Sequence, residues 1–382
     1  MRVERLGVTV LSAPLGATDT VAMSFGKLTD RRMCVVEVEA DGAVGIGESW
    51  INYPAWAPRE RLGTLCDGVA SLLVGMEVSD PREIHGELTR QLLPLGRQWG
   101  ALGPIWQSLS GVDMALWDLH GKLHGQSVAA LLGGDGGRGH VPAYGSGVGP
   151  TRVAELCERA MQAGLPAVKT KVGFGAERDA AILGEARSTL GEKRRLFADA
   201  NQAWNLAEAK AMCELLERHD VEWLEEPLTH DDLDELEELG ADTTIPLATG
   251  ENVYGITEFE RYVESPAIHL IQPDLAKCGG ITMGAAVAEH AGRCGTGVAP
   301  HCYGGAIGIV ASLHVGAAFP SVRWIELDVR DNPLRTDVLT TPLRLDDGEL
   351  AVPNGPGLGI ELADTVIQHY EQYVEERTRR DL

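Results

Sequence analysis

The sequence predicts an α/β fold in which a (β/α)-barrel of the TIM type follows a smaller α+β domain. The chain has 382 residues, which is too long for one ordinary core and suits a barrel of about 250 residues with a second unit. It contains 46 glycines but only 5% aromatic residues, as expected of many tight junctions between strands and helices. Eight short apolar runs also recur along its second part, at the spacing of strand–helix units.

The first part, residues 1–125, is predicted to form the α+β domain. Two segments with alternating apolar residues, the second turned by an Asp-Gly hairpin dipeptide, precede two segments with helical apolar spacing: 6–11, 35–46, 81–93 and 104–124. The pattern therefore indicates an antiparallel meander followed by two helices.

Residues 126–345 are predicted to form the barrel, because each apolar run in this part ends in a polar residue and precedes a segment long enough for a helix. The apolar runs are 141–144, 167–171, 196–199, 222–225, 245–251, 270–274, 298–301 and 324–326, and their terminal residues are Tyr144, Lys171, Asp199, Glu225, Glu251, Asp274, His301 and Glu326. These residues lie 23 to 28 positions apart, the length of a strand, a helix and two loops. Eight such units can close a barrel.

Two local signals complete the predicted topology. Asn205, with Glu208 three residues later, has the spacing of a capping box at a helix N-terminus. The last segment, 346–382, is predicted to contain a helix from Asp364 to about Arg377. We expect this segment to pack against the first domain.

Charge, cysteine usage and hydropathy exclude several classes of partner and location. The formal net charge of −23 would repel phosphate backbones and anionic lipid, so neither nucleic acid nor a membrane surface is expected as a partner. The seven cysteines are scattered without CxxC spacing, so neither a disulfide framework nor a zinc cluster is indicated. The first residues lack the apolar core of a signal peptide, and a cytoplasmic protein is expected.

Three acidic residues end successive barrel strands. Asp199, Glu225 and Glu251 follow one another at equal steps of 26 residues. The carboxyl ends of barrel strands meet at one end of the barrel, so the three carboxylates should converge there. Oxygen ligands without nearby cysteine or histidine favour Mg²⁺ over zinc. The sequence therefore predicts a magnesium site.

Basic groups are predicted on two sides of this site. Lys169 and Lys171 are two positions apart on one strand and share a face. Asp274 and His301 end two later strands, and a carboxylate bonded to one imidazole nitrogen makes the other nitrogen a base. Four further charged residues are interpreted as surface, solvated or packing side chains: Glu222, Glu226, Lys277 and Asp328.

Seven motifs at the strand ends carry a family resemblance. They are Val-Lys-Thr-Lys (168–171), Asp-Ala-Asn (199–201), Trp-Leu-Glu-Glu-Pro (223–227), Gly-Glu-Asn (250–252), Ile-Gln-Pro-Asp (271–274), Ala-Pro-His (299–301) and Ile-Glu-Leu-Asp (325–328). The series resembles the enolase superfamily and, within it, the mandelate racemase subgroup. A run usual in that family, 110–118, extends the resemblance to the first domain. Asp274 stands where a member similar to muconate cycloisomerase would have lysine.

The resemblance implies a modified (β/α)7β barrel with an N-terminal capping domain, and it implies roles for the polar residues. Asp199, Glu225 and Glu251 would bind Mg²⁺. Lys171 would be one base, its pKa lowered by burial beside Lys169 and a cation, and His301, oriented by Asp274, would be the other. Lys169 would hold the substrate carboxylate, and a protonated Glu326 would donate to the intermediate. Cap loops 17–27 and 50–56 would set specificity, with Trp50 and Tyr53 against the substrate. An even-numbered homo-oligomer, such as an octamer, is also implied.

Three classes of function stay open at this point. The leading hypothesis is dehydration of an acid sugar (an aldonate or aldarate) to a 2-keto-3-deoxy acid, with the proton beside the carboxylate removed first. It is favoured by the polar groups expected at the barrel end, since unpaired polar groups in a closed site cost about 1–3 kcal/mol each: Lys169, Asn201, Glu326, Tyr144 and Ser146. The alternative is an isomerase, either a racemase or epimerase of a 2-hydroxy acid or a sugar-lactone cycloisomerase. A non-catalytic metal-binding barrel is a remote third, since it would not need Lys171, Asp274 and His301 together.

Overall fold

The structure is a computed structural model that describes residues 1–16, 21–23, 26–134, 138–229 and 232–382, with the backbone alone at 21–23. Of the predicted specificity loop 17–27, residues 17–20, 24 and 25 lie outside the described residues. In the described part, no helix is both long enough and apolar enough to cross a membrane.

An antiparallel sheet with helices packed on it forms the first domain. The sheet contains β1 (Arg5–Pro14), β4 (Asp30–Ala40) and β5 (Ala43–Ser49) of this domain. Two further strands, β2 (Val21–Met23) and β3 (Gly26–Leu28), pair with each other. Its helices are α1 (Ala57–Gly63), a π-helical segment (Thr64–Val69), α2 (Ala70–Leu73), α3 (Pro81–Trp99), α4 (Leu102–His124) and α5 (Val128–Leu131). The predicted hairpin is confirmed: Asp41 and Gly42 join β4 to β5, and both have the positive φ that a tight hairpin turn requires.

Helix α4 lies unusually close to strand β5. Gly45 and Gly47 make this approach feasible, because a Cβ at either position would collide with a backbone oxygen of α4, that of Ala115 or Gly111. The contact fixes the end of β5, and residues 48–52 continue from there toward the barrel.

Parallel strands alternate with helices through the second domain. The strands are β6 (His140–Val148), β7 (Ala167–Lys171), β8 (Arg195–Asp199), β9 (Val221–Glu225), β10 (Leu247–Thr249), β11 (Ile268–Ile271), β12 (Gly297–Val298) and β13 (Ile325–Asp328). The helices are α6 (Val153–Gln162), α7 (Ala176–Leu190), α8 (Leu206–Glu217), α9 (Leu233–Asp242), α10 (Ile256–Glu264), α11 (Gly280–Cys294), α12 (Ala306–Ala318) and α13 (Pro333–Thr336).

Strand pairing brings the two ends of this sheet together. Neighbouring strands run in order from β6 to β12, and β13 pairs with β6. At the other edge, Val298 N–H donates to Ser321 O and Arg323 N–H donates to Val298 O, both at 2.8 Å, just before β13 begins. The strands therefore form a barrel, as the sequence predicted.

One layer of side chains fills the barrel interior. It receives one residue from each strand or its immediate neighbour: Tyr144, Ala167, Phe197, Trp223, Ala248, Leu270, Ala299 and Trp324. We call this layer the barrel floor. Because alternate residues of a strand point the same way, the residue two positions further along each strand stands above it. The polar residues Lys169, Asp199, Glu225, His301 and Glu326 occupy those positions.

The structure corrects several predicted boundaries. Strands β10, β11 and β12 end before Glu251, Asp274 and His301, so these residues lie in the loops that follow the strands. The predicted helix from Asp364 is wrong beyond its second turn. The chain continues from β14 (Leu345–Asp346) and β15 (Glu349–Ala351) into α14 (Asp364–Tyr370) and then β16 (Glu371–Thr378). β16 pairs with β1, because an open sheet edge there outweighs the weak helical pattern.

The predicted capping box at α8 is confirmed and allows a stability prediction. Asn205 Oδ1 accepts from Glu208 N–H at 3.0 Å, and Glu208 Oε2 accepts from Asn205 N–H at 3.1 Å. We expect Asn205→Ala to lower the free energy of unfolding by about 1 kcal/mol, because the N–H of Glu208 at the helix N-terminus loses its acceptor. Urea denaturation measures this change. Asn205→Asp, which can still cap, should stay close to the wild type, and an equal loss in both variants would contradict the capping role.

Candidate active site

Three carboxylates converge at the C-terminal end of the barrel strands. One oxygen from each of Asp199, Glu225 and Glu251 lies within 4.8 Å of the others, and all three residues are buried. Burial raises the pKa of Glu225 to about 8, opposed by Lys169 and reinforced by the neighbouring carboxylates. Glu251 Oε2 accepts no hydrogen bond from the described residues. This concentration of buried negative charge, with an unused oxygen, suits a hard divalent cation.

Lys169 lies beneath this group with its ammonium enclosed by carboxylates. Its Nζ is 2.6 Å from Glu225 Oε1, 3.0 Å from Glu326 Oε1 and 3.9 Å from Asp199 Oδ2. Burial opposes the charge, but these carboxylates outweigh it and raise the pKa of Lys169 well above its usual value. Lys169 is therefore a fixed cation above the barrel floor.

Lys171 reaches the cavity above the carboxylates and donates to Asp199. The expectation of a lowered pKa is not met in this arrangement. Burial does lower the pKa of Lys171, and so does Lys169, but the attraction of Asp199, with Glu251 and Glu225 behind it, is larger and raises it. Lys171 is an ammonium ion as long as Asp199 carries its full charge.

His301 and Asp274 form the pair that the sequence predicted. His301 Nδ1 lies 2.7 Å from Asp274 Oδ2, and Nε2 lies 3.3 Å from Glu251 Oε2. Asp274 is itself held, since its Oδ1 accepts from Ala276 N–H at 2.8 Å. Burial lowers the pKa of His301, but Glu251, Glu326 and Asp274 outweigh this and raise it to about 9. The ring is thus fixed with Nε2 on the side of the carboxylates.

Glu326 lies at the barrel end as expected, next to Lys169. Its Oε2 accepts from Cys302 N–H at 2.9 Å, and its Oε1 faces Lys169. Burial raises the pKa of Glu326, but Lys169 and His301 outweigh burial and lower it to about 2. These contacts favour the anionic form of Glu326, whereas the resemblance implies a protonated donor.

A cavity of about 770 Å³ opens above these residues, between the barrel end and the first domain. It is lined by Trp50, Tyr53, Pro54, Gln107, Lys171, Asn201, Gln202, Thr229, Glu251, Asn252, Tyr254, Lys277, His301 and Tyr303. Lys171 and His301 thus reach it together, as do the predicted substrate-binding residues Asn201, Trp50 and Tyr53. Tyr144 does not line it: it is fully buried in the barrel floor, 5.5 Å below the Lys169 ammonium, because its strand position belongs to the lower layer.

Three residues interpreted as surface, solvated or packing side chains belong to the buried polar network. Glu226 has a φ of 40°, so it leaves the strand alternation, and it accepts from Gln202 at 3.1 Å and Asn252 at 2.9 Å. Lys277 is buried, donates to Asn252 Oδ1 at 2.8 Å, and lies over the Trp50 ring. Asp328 is buried in an ion pair with Arg31 of the first domain. Glu222 is paired with Arg195 at the surface, as expected.

Gln272 was not singled out in the sequence, although it lies in the polar layer. It stands two positions beyond the floor residue Leu270, and its amide donates to Glu225 Oε2. The two-residue step that connects the floor to Lys169 and Asp199 would have identified it.

Two family profiles match the chain. The mandelate racemase / muconate lactonizing enzyme N-terminal domain matches residues 5–133, and the enolase C-terminal domain-like profile matches residues 152–366. The D-galactarolactone cycloisomerase of Agrobacterium fabrum is 33% identical over 90% of this chain and 93% of that protein. The arabinonate dehydratase of Saccharolobus solfataricus is 30% identical over 92% of this chain and 94% of that protein.

Solved structures share the whole architecture. A member of the enolase superfamily from Polaromonas sp. JS666 superimposes with a TM-score of 0.88, at 30% identity and 98% coverage of both chains. A racemase from Streptomyces coelicolor A3(2), solved with bound magnesium, superimposes with a TM-score of 0.86 at 25% identity, covering 97% of this chain and all of that one.

Proposed function

The chain belongs to the mandelate racemase / muconate lactonizing enzyme family of the enolase superfamily, and from this premise we propose that it is a Mg²⁺-dependent acid sugar dehydratase. It would remove the proton beside the substrate carboxylate and release a 2-keto-3-deoxy acid. The observation that carries the proposal is the position of the two bases. Lys171 contacts Asp199 and His301 contacts Glu251, so the bases flank the three carboxylates from two sides of one cavity.

The three carboxylates fit a Mg²⁺ ion, since they are buried, close together and consist of oxygen ligands only. When bound, Mg²⁺ would supply a Lewis acid beside the substrate carboxylate. It would also draw the charge of Asp199 away from Lys171, which would lower the pKa of Lys171. Asp199, Glu225 and Glu251 would hold it.

The residues of the chain would share the remaining work. A positioned base contributes roughly 10²–10⁴-fold, or about 3–5 kcal/mol, whereas enzymes lower barriers by about 8 kcal/mol or more, so electrostatic stabilisation must supply much of the difference. Lys169, a buried cation, lies where a second negative charge would develop on the substrate. Glu326 would position Lys169 rather than donate a proton.

Loss of a hydroxyl group also needs an acid. After Lys171 has taken the proton beside the carboxylate, His301 could give a proton to the leaving hydroxyl, because Asp274 stabilises the charged imidazole. Asn201 and other polar residues of the wall would bind the remaining hydroxyls. The arabinonate dehydratase among the relatives supports this reaction class.

An isomerase is the second candidate, and the relative that favours it is the D-galactarolactone cycloisomerase at 33% identity. The same two bases could exchange a proton between configurations or open a lactone ring without loss of water. The non-catalytic alternative has less support, since both bases face the cavity. An even-numbered homo-oligomer and a cytoplasmic location stay proposals.

We expect the purified protein, loaded with Mg²⁺, to remove one water from at least one acid sugar of five or six carbons. The product should react with semicarbazide, because a 2-keto acid forms. The measurement is mass spectrometry of reactions with the hexarate, hexonate and pentonate diastereomers. Conversion of one of them, or its lactone, to an isomer without loss of water would replace this proposal by the second candidate.

A further inference from the structure

Helix α12, which follows the His301 loop, begins without a cap from its own residues. Its N-cap is Gly305, which has no side chain to accept the free N–H groups of the first turn. These groups are buried and need acceptors. The acceptor comes from the other domain.

Glu48, at the end of β5 in the first domain, caps this helix across the domain boundary. Its Oε1 accepts from Gly305 N–H at 2.5 Å and its Oε2 from Gly308 N–H at 2.9 Å, and the residue is 1% exposed. Gly304 leaves room for this approach, since a Cβ there would collide with the carboxylate. The hydrogen bonds and the helix dipole stabilise a carboxylate at this helix N-terminus, whereas burial opposes its charge and raises the pKa of Glu48 to about 7.

The loop between His301 and this helix is held at each step. Cys302 N–H donates to Glu326, Tyr303 O accepts from Asn52 at 3.1 Å, and Gly304 O accepts from Asn332 at 3.1 Å. Glu48 then holds Gly305. Two of these four restraints, from Asn52 and Glu48, belong to the first domain.

The same segment of the first domain also holds the loop of Asp274. Trp50 N–H donates to Ala276 O at 3.0 Å, and Ala276 N–H in turn binds Asp274. The Trp50 ring stands edge-on to His301 with centroids 5.9 Å apart. Residues 48–52 therefore contact both loops that carry the His301–Asp274 pair. They make none of these contacts with β7, which carries Lys171.

We propose that Glu48 is a positioning residue that fixes the His301 loop from the first domain, so that the two bases depend on this domain unequally. Glu48 does not line the cavity, and it acts on the His301 loop through its hydrogen bonds with Gly305 and Gly308. The expected difference between the two bases, Lys171 and His301, rests on the proposed function, whereas the restraint on the His301 loop does not.

The test compares Glu48→Gln with Asp118→Asn. Asp118 is the matched control, because it is a buried carboxylate of the same domain. It accepts from the N–H groups of Ile46 on β5 and of Leu358, and it contacts neither the His301 loop nor the Asp274 loop. A glutamine can accept one N–H but presents an NH₂ group to the other. We expect Glu48→Gln to slow proton exchange by His301 about 10–100-fold, with exchange by Lys171 within about threefold of the wild type. The readout is deuterium incorporation from ²H₂O into the two configurations of a substrate.

Amide exchange of residues 301–309, measured by mass spectrometry, is the second readout and needs no turnover. It should accelerate in Glu48→Gln and not in Asp118→Asn. Equal losses at both bases, or amide exchange unchanged from the wild type, would overturn the proposal. If the wild type exchanges neither configuration, proton exchange does not compare the two bases, and amide exchange alone decides the role of Glu48. Should Glu48→Gln not fold, Asn52→Ala removes the restraint on Tyr303 and is expected to show the same selectivity.

Discussion

Replacing Lys171 by alanine should abolish proton exchange with one configuration of the substrate, and replacing His301 by asparagine should abolish exchange with the other. The expected loss is about 10³-fold in each case, within the range that a positioned base contributes. The reason is geometric, since the two side chains enter one cavity from the sides of Asp199 and Glu251 respectively. The measurement is NMR of deuterium incorporation in ²H₂O with each configuration separately.

Lys210→Ala and His290→Asn are suitable controls for these variants. Lys210 is paired with Glu238 on the outer helices and His290 with Glu264, so neither reaches the cavity. Both controls should exchange both configurations at the wild-type rate. If Lys171→Ala or His301→Asn does the same, the assignment of two bases is wrong.

Replacing Glu225 by glutamine should remove tight Mg²⁺ binding together with the activity. The neutral amide removes one of the three negative charges that would hold a divalent cation next to Lys169. We therefore expect the Mg²⁺ affinity to fall about 100-fold or more. Calorimetric titration with Mg²⁺ measures this directly. Thermal unfolding gives a second measure, since Mg²⁺ at 100 times its Kd should stabilise the wild type by about 2.7 kcal/mol.

Glu222→Gln is the matched control, because Glu222 lies on the same strand but is exposed beside Arg195. It should bind Mg²⁺ as the wild type does. Chelation should abolish wild-type turnover, and added Mg²⁺ should restore it. Unaltered Mg²⁺ affinity in Glu225→Gln would remove the basis of the metal assignment.

The sequence was sufficient to predict the barrel, because its period is long and each unit repeats the same order of strand, polar residue and helix. Lys171, Asp199 and Glu225 could be placed at strand ends because β7, β8 and β9 end at these residues. Asp274 and His301 could be paired because they end successive predicted strands, although both lie in loops whose exact path no residue pattern specifies. Loop geometry depends on tertiary contacts such as those of Asn52 and Asn332.

The errors also have physical causes. Glu226 was interpreted as a surface, solvated or packing side chain, but strand alternation fails where its φ becomes positive and the residue joins the buried polar network. Tyr144 was assigned to the cavity because it ends an apolar run, but β6 continues to Val148 and leaves Tyr144 one layer too deep. The ionisation states of Glu326 and Lys171 stay predictions, since they depend on ion pairs across the barrel, such as Lys169 with Glu326, and on the cation that the carboxylates would hold.

The barrel floor distinguishes mutations that disturb the reaction from mutations that change the substrate. Asp199 and Glu225 each stand two positions beyond a floor residue, so a change of volume at Phe197 or Trp223 would move Asp199 or Glu225 and disturb the chemistry. One part of the cavity wall has no such link to the barrel interior, because Tyr53 and Pro54 come from a loop of the other domain. Descendants of this gene can therefore acquire a new substrate by substitution at Tyr53 and Pro54, beyond the residues 48–52 that hold the His301 and Asp274 loops, while the reaction itself is conserved by the packing beneath the site.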